Sequence, residues 1–206
     1  MTNHTIVRLK RSQLHQAVAV LSNTFDSDPI FRYFLAQTDG RPHNSLKQLC
    51  KTFVQYTQPY RYVYTTNDLK GVAAWLPPGQ FPFHPLQLLQ AGMYALPLMV
   101  RWSKLQQLIS FFLQLEDYHK QDVAQQHWYL ALLGVAQEYQ NQGIGGLLIQ
   151  PILEKAERER LCCYLEATTQ SSVRFYQKHG FAVVRTVELS GNNLRVWTMK
   201  RAPSSS

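Results

Sequence analysis

Apolar and polar positions are patterned most clearly between residues 128 and 160 of the chain. Residues 128–136 form a nearly unbroken apolar run, residues 137–142 are polar, and Gly143-Ile144-Gly145-Gly146 follows. Beyond it Leu148, Ile152 and Ala156 recur every four positions with Leu147 and Leu153 beside them, while Glu154, Lys155, Glu157 and Arg158 fall largely on the other side. This is the pattern of a strand, a glycine turn and a helix with one buried and one wet face. A glycine turn feeding a helix N-terminus leaves backbone N–H groups without partners, and the helix dipole favours negative charge there. The natural guest is a phosphate.

The flanking chain reads as short strands and helices. Residues 5–9, with Ile6, Val7 and Leu9, predict a first strand. Ser12 is a candidate N-cap for a helix through Leu14, Ala17, Val18 and Leu21 that ends near Asp28-Pro29, because proline disfavours helix in the residue before it. The apolar patch 30–35 extends or follows it, and Arg41-Pro42 breaks the chain. Asn44 or Ser45 then opens a helix through Leu46, Leu49, Cys50, Phe53 and Val54, closed by Pro59. Residues 62–66 and 71–76 pair as a hairpin around Asn67-Asp68, ended by Pro77-Pro78-Gly79. Residues 80–126, punctuated by Pro82, Pro85 and Pro97, predict two or three short helices whose Met and aromatic side chains either line a binding pocket or belong to the core. Residues 162–168 read as a buried strand, and 182–189 and 193–200 as the last two, joined by a turn at Gly191-Asn192.

Spacing discriminates among phosphate binders. The mononucleotide loop needs Lys and then Ser or Thr after its second glycine, where this chain has Leu147 and Leu148. The dinucleotide fingerprint is a closer rival, since Gly143-Ile144-Gly145 resembles its opening and Glu166 ends the next apolar run about twenty residues on. It fits poorly, because six polar residues separate strand from glycine and Leu148 stands where the third glycine belongs. Gln140-Asn141-Gln142-Gly143-Ile144-Gly145 reads as Q-x-x-G-x-G, which resembles the acetyl-coenzyme A pyrophosphate loop of the GNAT superfamily of N-acetyltransferases. Downstream, Phe175-Tyr176-Gln177-Lys178-His179-Gly180-Phe181 resembles the F-Y-x-x-x-G-F that ends a helix of that family. Further stretches resemble the branch around puromycin N-acetyltransferase: His127-Trp128-Tyr129-Leu130, Leu165-Glu166-Ala167, Trp197, Phe25-Asp26-Ser27-Asp28-Pro29 and Trp75-Leu76-Pro77-Pro78-Gly79. The position seven before Tyr176, often Asn in the superfamily, is Thr169, so no side-chain contact is carried over from it.

The resemblance implies an α/β (α+β) fold: a mixed, mostly antiparallel central sheet of about seven strands, flanked by helices and splayed at the cofactor site. It implies an acyltransferase that transfers groups other than aminoacyl groups, taking acetyl-coenzyme A as donor and a small-molecule amine as acceptor. The pantetheine arm would add itself to the central strand at the backbone of Val135 and Gln137, with the Val135 N–H facing the developing oxyanion. The backbone of Gln142, Gly143, Ile144, Gly145 and Gly146 would hold the pyrophosphate, with Gly143 and Gly145 allowing close approach.

Composition narrows the setting. The length of 206 residues suits one domain, taken as 1–202 with a frayed tail at 203–206, and 45% hydrophobic with 17% charged residues argues against disorder. Three cysteines, two of them the adjacent Cys162 and Cys163, give no disulfide framework and point to a reducing cytoplasm. The net charge of +8 suits an anionic coenzyme or a merely solvated basic surface; no run of Lys or Arg exceeds two residues, so no nucleic-acid partner is expected. The N-terminal stretch lacks the apolar core of a signal peptide, and the apolar window 86–100 is shorter than the ~20 residues of a membrane span. No membrane partner is expected. An apolar stripe between Leu86 and Phe112 leaves monomer and homodimer open.

Acetyl transfer sets two proton requirements. A departing thiolate, whose acid has a pKa near ~8.5, is competently protonated by a tyrosine near ~10, and Tyr176 is the candidate, with Phe175 beside it as the core member. An acceptor amine near ~10.4 must lose a proton to a base or a water relay, and the candidate bases are Glu166, favoured, and His127 at the far end of the central strand. Glu166 equally suits a helix cap or a partner for a basic residue. No Cys or His pair has metal-ligand spacing and no Ser or Cys sits in a nucleophile elbow, so no metal and direct transfer are expected. A non-catalytic coenzyme A sensor and a nicotinamide-dependent oxidoreductase are the alternatives.

Overall fold

The computed structural model describes residues 4–35, 42–189 and 194–204. In chain order the elements are β1 (Ile6–Arg8), α1 (Leu14–Phe25), α2 (Pro29–Leu35), α3 (Pro42–Thr57), β2 (Val63–Thr66), β3 (Gly71–Leu76), α4 (Pro85–Gln90), α5 (Trp102–Asp122), β4 (His127–Val135), α6 (Ile144–Glu159), β5 (Cys162–Ala167), α7 (Gln170–Lys178), β6 (Ala182–Leu189) and β7 (Leu194–Arg201). Seven strands form one sheet in the order β1-β2-β3-β4-β5-β7-β6. Every neighbouring pair is antiparallel except β4 and β5, which run parallel. The mixed, mostly antiparallel sheet flanked by helices is the one the sequence predicts.

Apolar side chains on the two faces of the sheet select two helical layers. On one face Ala17, Val18 and Leu21 of α1, Leu46, Leu49 and Val54 of α3, and Leu105, Leu108 and Phe111 of α5 share a core with Val72, Ala74 and Leu132. On the other, Ile144, Leu148, Ile152 and Ala156 of α6 and Val173 and Tyr176 of α7 pack on Ala73, Trp75, Trp128, Leu130 and Leu165. Each fully buried Leu, Ile or Val contributes ~1.5–3 kcal/mol. Both layers therefore clamp the centre of the sheet.

Two irregularities of β4 position the site. Against β3, Ala74 faces Leu132 but Trp75 faces Leu130, so Ala131 is an extra residue, a β-bulge that bends and twists the strand. Against β5, the pairing covers only His127–Cys162, Trp128–Cys163 and Tyr129–Tyr164. Beyond Tyr129 the two parallel strands part.

Several boundaries differ from the sequence reading. Ser12 lies inside a 3-10 turn, Arg11–Gln13, and does not cap α1; the Gln13 side chain instead accepts from the Lys10 N–H at 3.0 Å. Helix α3 begins at Pro42 rather than at Asn44 or Ser45, since a proline in the first turn forfeits no helical hydrogen bond. α5 is one helix of 21 residues where shorter pieces were expected, because no Gly or Pro interrupts it. Its apolar positions divide between Leu105, Leu108, Phe111 and Leu115, which are buried, and Trp102, Ile109 and Leu113, which are exposed. Of the expected tail, Ser204 donates its N–H to Glu157. The turn expected at Gly191-Asn192 lies outside the described residues.

Candidate active site

The parting of β4 and β5 leaves one edge of β4 open. The Ala136 N–H bonds the Lys70 carbonyl at 2.8 Å, and partners alternate along an antiparallel ladder, so Gly134 and Leu132 also face β3. The peptide groups of Leu133 and Val135 therefore point into the gap. The Val135 carbonyl is already engaged, accepting from Thr24 Oγ1 at 3.1 Å and from Gln140 Nε2 at 3.0 Å. Its N–H remains directed at the gap, together with both groups of Leu133. Gln137 lies past the strand end, opening a 3-10 turn, Gln137–Tyr139, and its carbonyl accepts from the Gln140 N–H at 3.3 Å.

At the mouth of the gap stands the N-terminus of α6. Gly143 is its N-cap with φ +82°, a conformation that costs an L-residue ~1–2 kcal/mol. No side chain caps the helix and no acidic residue occupies its first turn, so the N–H groups of Ile144, Gly145 and Gly146 keep the vacancy of a helix start. The Gln142 side chain donates to the Glu138 carbonyl at 3.2 Å, which ties the loop down. The later glycines serve packing: a Cβ on Gly145 would meet the Phe175 ring at 3.1 Å, and one on Gly146 would meet the His179 ring at 2.8 Å. α7 thus lies directly over the first turn of α6.

The two residues proposed for proton transfer stand on opposite faces of the sheet. Tyr176 belongs to the core shared by α6, α7 and β5, and only 8% of its surface is exposed. Its hydroxyl makes no hydrogen bond among the described residues, and burial holds its pKa above the ordinary phenol value. Phe175 is partly buried over Gly145 and packs against the same core, so the expectation is corrected in its ranking: Tyr176 is the more buried of the two. The physical reason is helical phase: Val173 and Tyr176, three residues apart, share the inward face of α7.

Glu166 projects from β5 to the other face. There Oε2 accepts the Tyr129 hydroxyl at 2.8 Å, joining β5 to β4 just where their backbones separate. Glu166 neither caps a helix nor meets a basic side chain in a formal pair. Burial pushes its pKa up to about 7, against the lowering effect of the Tyr129 bond. Glu166 Oε1 lies 3.6 Å from Nδ1 of His119, which is itself buried on α5. That contact is no ion pair, because burial, with His127 beside it, pushes His119 down to about 2. His119 is stacked between Phe81 and Tyr164, with ring centroids at 3.6 and 3.8 Å. His127, at the opposite end of β4 from Val135, reaches His119 with Nε2 to Nε2 at 2.7 Å.

Two anchors hold these elements. Asp122, ending α5, accepts from Tyr164 at 3.1 Å, Thr198 at 2.7 Å and Arg185 at 2.9 Å, which fixes α5 against β5, β7 and β6. Asp28 starts α2, accepting the N–H groups of Ile30 and Phe31 at 2.9 and 3.1 Å on Oδ1, and takes the Thr168 hydroxyl on Oδ2. Burial raises the Asp28 pKa despite these bonds. With Thr24 on the Val135 carbonyl and Asp28 on Thr168, the α1–α2 corner straps the separated ends of β4 and β5 together.

A gap between parallel strands, an open strand edge and an uncapped helix N-terminus coincide with what known proteins share with this chain. Residues 66–181, more than half of it, match the acetyltransferase (GNAT) family. The chain belongs to the GNAT acetyltransferase family. It is similar to an uncharacterized N-acetyltransferase of Schizosaccharomyces pombe, at 25% identity over 92% of this chain and 78% of that protein. A probable serine/threonine-protein kinase of Dictyostelium discoideum matches at 27% identity over 91% of this chain, which spans 22% of that longer protein. Among solved structures, arylalkylamine N-acetyltransferase 2 of Aedes aegypti superposes with a TM-score of 0.69 at 14% identity, over 98% of this chain and all of that one. That likeness is one of fold.

The GNAT fold brings Val135, Gly143, Ile144, Gly145 and Gly146 to one gap and places Gln137 beyond its strand edge. Sequence reasoning missed His119, Tyr129, Thr24 and Asp28 as members of the site. Asp28 carried a signal, since Asp followed by Pro and an apolar run is an N-cap pattern. His119 carried none: a lone His in an amphipathic helix gives no sign of which strand it meets. Among the described residues no group of three or more His, Cys, Asp or Glu is gathered as a metal site, and no helix is long and apolar enough to cross a membrane.

Proposed function

We propose that this GNAT acetyltransferase moves an acetyl group from acetyl-coenzyme A to a primary amine of a small molecule, by direct attack of the amine on the thioester. The observation that carries the reading is the buried carboxyl of Glu166, tuned to about 7, at the point where β4 and β5 part. A base poised there serves an amine of which only about one molecule in two thousand is neutral at pH 7.

The residues fit the donor. The first-turn N–H groups of α6, with no side-chain cap, suit a pyrophosphate, and the Val135 N–H with both peptide groups of Leu133 suits an extended amide-bearing arm laid along the strand edge. When bound, the coenzyme supplies an activated thioester. The Val135 N–H, aimed into the gap, then donates to oxyanion charge as the amine attacks. Glu166 accepts the amine proton from its face of the sheet, and Tyr176 donates to the leaving thiolate from the other. An amine acceptor also agrees with the likeness in fold to the arylalkylamine N-acetyltransferase of Aedes aegypti. The motifs of the puromycin branch fall on the α1–α2 corner, β3, β4 and β5, which supports placing the chain there, with residues 1–202 as one catalytic unit, cytoplasmic, and a monomer or homodimer.

The test is free-thiol release on mixing the protein with acetyl-coenzyme A and a panel of a phenylalkylamine, agmatine and a linear diamine. The reading expects turnover on at least one of them. Binding of acetyl-coenzyme A without turnover on any would leave a coenzyme A sensor instead.

A further inference from the structure

Glu166 and His127, the rival bases of the sequence reading, are linked in the structure by a third group. Each bond in that link has only one possible direction. His127 Nδ1 lies 2.7 Å from the Gln125 carbonyl, which can only accept, so Nδ1 carries the proton. Burial keeps His127 below the usual imidazole range, and a neutral ring protonated at Nδ1 offers a lone pair at Nε2. His119 Nε2, 2.7 Å away, must then donate. His119 Nδ1 is left as a bare lone pair, and it is a buried nitrogen with no hydrogen-bond partner among the described residues. Such orphans are rare enough to require a reason.

The reason lies 3.6 Å away at Glu166 Oε1, the oxygen that the Tyr129 hydroxyl does not occupy. At that separation two lone pairs face each other with no proton between them. A proton on Oε1 replaces that repulsion with an attraction to the Nδ1 lone pair, at a distance still longer than a hydrogen bond, while a carboxylate keeps the two lone pairs opposed. Rotation cannot relieve the mismatch, because the His119 ring is held between Phe81 and Tyr164 at 24° and 21° to their planes.

We infer that His119 and His127 are positioning residues forming a tautomer lock: the Gln125 carbonyl, acting through two imidazoles, presents a lone pair to Oε1 and so selects the protonated form of Glu166. This deepens the amine-acetylation reading and rests on it for its purpose. A base whose protonated form is favoured in this way takes the amine proton at neutral pH and holds it on a defined oxygen, turned away from the Tyr129 side. No proton needs to pass along the chain. Other charged groups also act on the lock: the Asp122 carboxylate raises Glu166 further, and Lys200 lowers His127 further. On α5, Asp122 is satisfied by Tyr164, Thr198 and Arg185. On β4, Tyr129 donates to Oε2, and on β7, Lys200 reaches the Asp122 carbonyl at 3.5 Å.

Hydrogen bonding to the neutral form of an acid raises its pKa, so breaking the lock lowers it. Two measurements test this. In the first, 15N NMR of the histidine rings at pH 7 is expected to show His119 protonated at Nε2 alone and His127 at Nδ1 alone. Either ring in the opposite tautomer, or His119 charged, overturns the proposal whether or not the protein acetylates anything. In the second, the Glu166 carboxyl is titrated by 13C NMR in the wild type, in His127→Phe, which frees His119 to turn its proton toward Glu166, and in His119→Phe, which removes the lone pair. Both are expected to titrate lower, by about half a pH unit, because a lone-pair contact at 3.6 Å is weaker than an ordinary hydrogen bond. Where a phenylalkylamine is turned over, the acid limb of kcat/KM follows. An unchanged titration in folded His119→Phe overturns the lock. A change in rate without a moved limb means a structural role only, and also overturns it.

Discussion

At the scale of single residues, the proposed chemistry rests on what burial does to Glu166 and Tyr176. Burial raises Glu166 from the ordinary carboxylate range to about 7, so the fraction present as base grows as pH rises through neutrality and falls tenfold per unit below it. Glu166→Gln is expected to lower turnover ~10²–10⁴-fold and to abolish that acid limb, as measured in a pH profile of kcat/KM. The linkage has a definite sign. A carboxyl whose folded pKa is raised contributes its stability below the unfolded value and loses it as pH climbs through about 7, so wild-type Glu166 is a burden above neutrality. Glu166→Gln is therefore expected to be more stable than wild type at pH 8, on the order of 3 kcal/mol, and equal to it near pH 4, by urea unfolding at the two pH values. For Tyr176, which is protonated at neutral pH but which burial makes a weaker acid than an ordinary phenol, Tyr176→Phe is expected to cut kcat ~10²-fold with the KM for acetyl-coenzyme A nearly unchanged. Equal loss of both would assign the ring to packing.

At the scale of elements, the site depends on a turn and a strap. Gly143 meets no neighbour within 4 Å where its Cβ would be, so only its positive φ resists substitution. Gly143→Ala is expected to lose about 1 kcal/mol of stability and to raise the KM for acetyl-coenzyme A more than it lowers kcat, because the first-turn N–H groups shift. The strap is tested by contrast. Asp28→Ala removes both the cap on α2 and the bond to Thr168, whereas Thr168→Val removes the bond alone. Urea midpoints are expected to place Asp28→Ala ~1–2 kcal/mol below wild type and Thr168→Val about 1 kcal/mol below. The pattern along α6 and the Q-x-x-G-x-G spacing announced the strand, turn and helix because local periodicity encodes them. The role of Gln140 as a cap on the Val135 carbonyl was not legible, since that contact exists only after the loop closes.

At the scale of the whole molecule, the proposed reaction would use one gap from two faces, with the donor held from the α6 side and the acceptor deprotonated from the α5 side where the sheet is open. Acetyl-coenzyme A at one hundred times its Kd is expected to stabilise the fold by ~2.7 kcal/mol, seen as a raised Tm, while NADH leaves Tm unchanged. A shift with NADH alone would favour the oxidoreductase. Exposed Leu86, Leu98 and Trp102 lie along the long insertion between β3 and β4, outside the core to which Leu105 and Phe111 belong.

The order of strands and helices, the turn at residues 143–146 and the family likeness were in the sequence, because each depends on neighbours within a few residues or on a contiguous motif. What only the tertiary structure decided is which distant side chains share a space. His119 comes from α5, Tyr129 and His127 from β4 and Glu166 from β5, and no periodicity relates them. They meet because a bulge at Ala131 and the early end of the β4–β5 ladder open the sheet at that point, and burial there raises the Glu166 carboxyl to about 7.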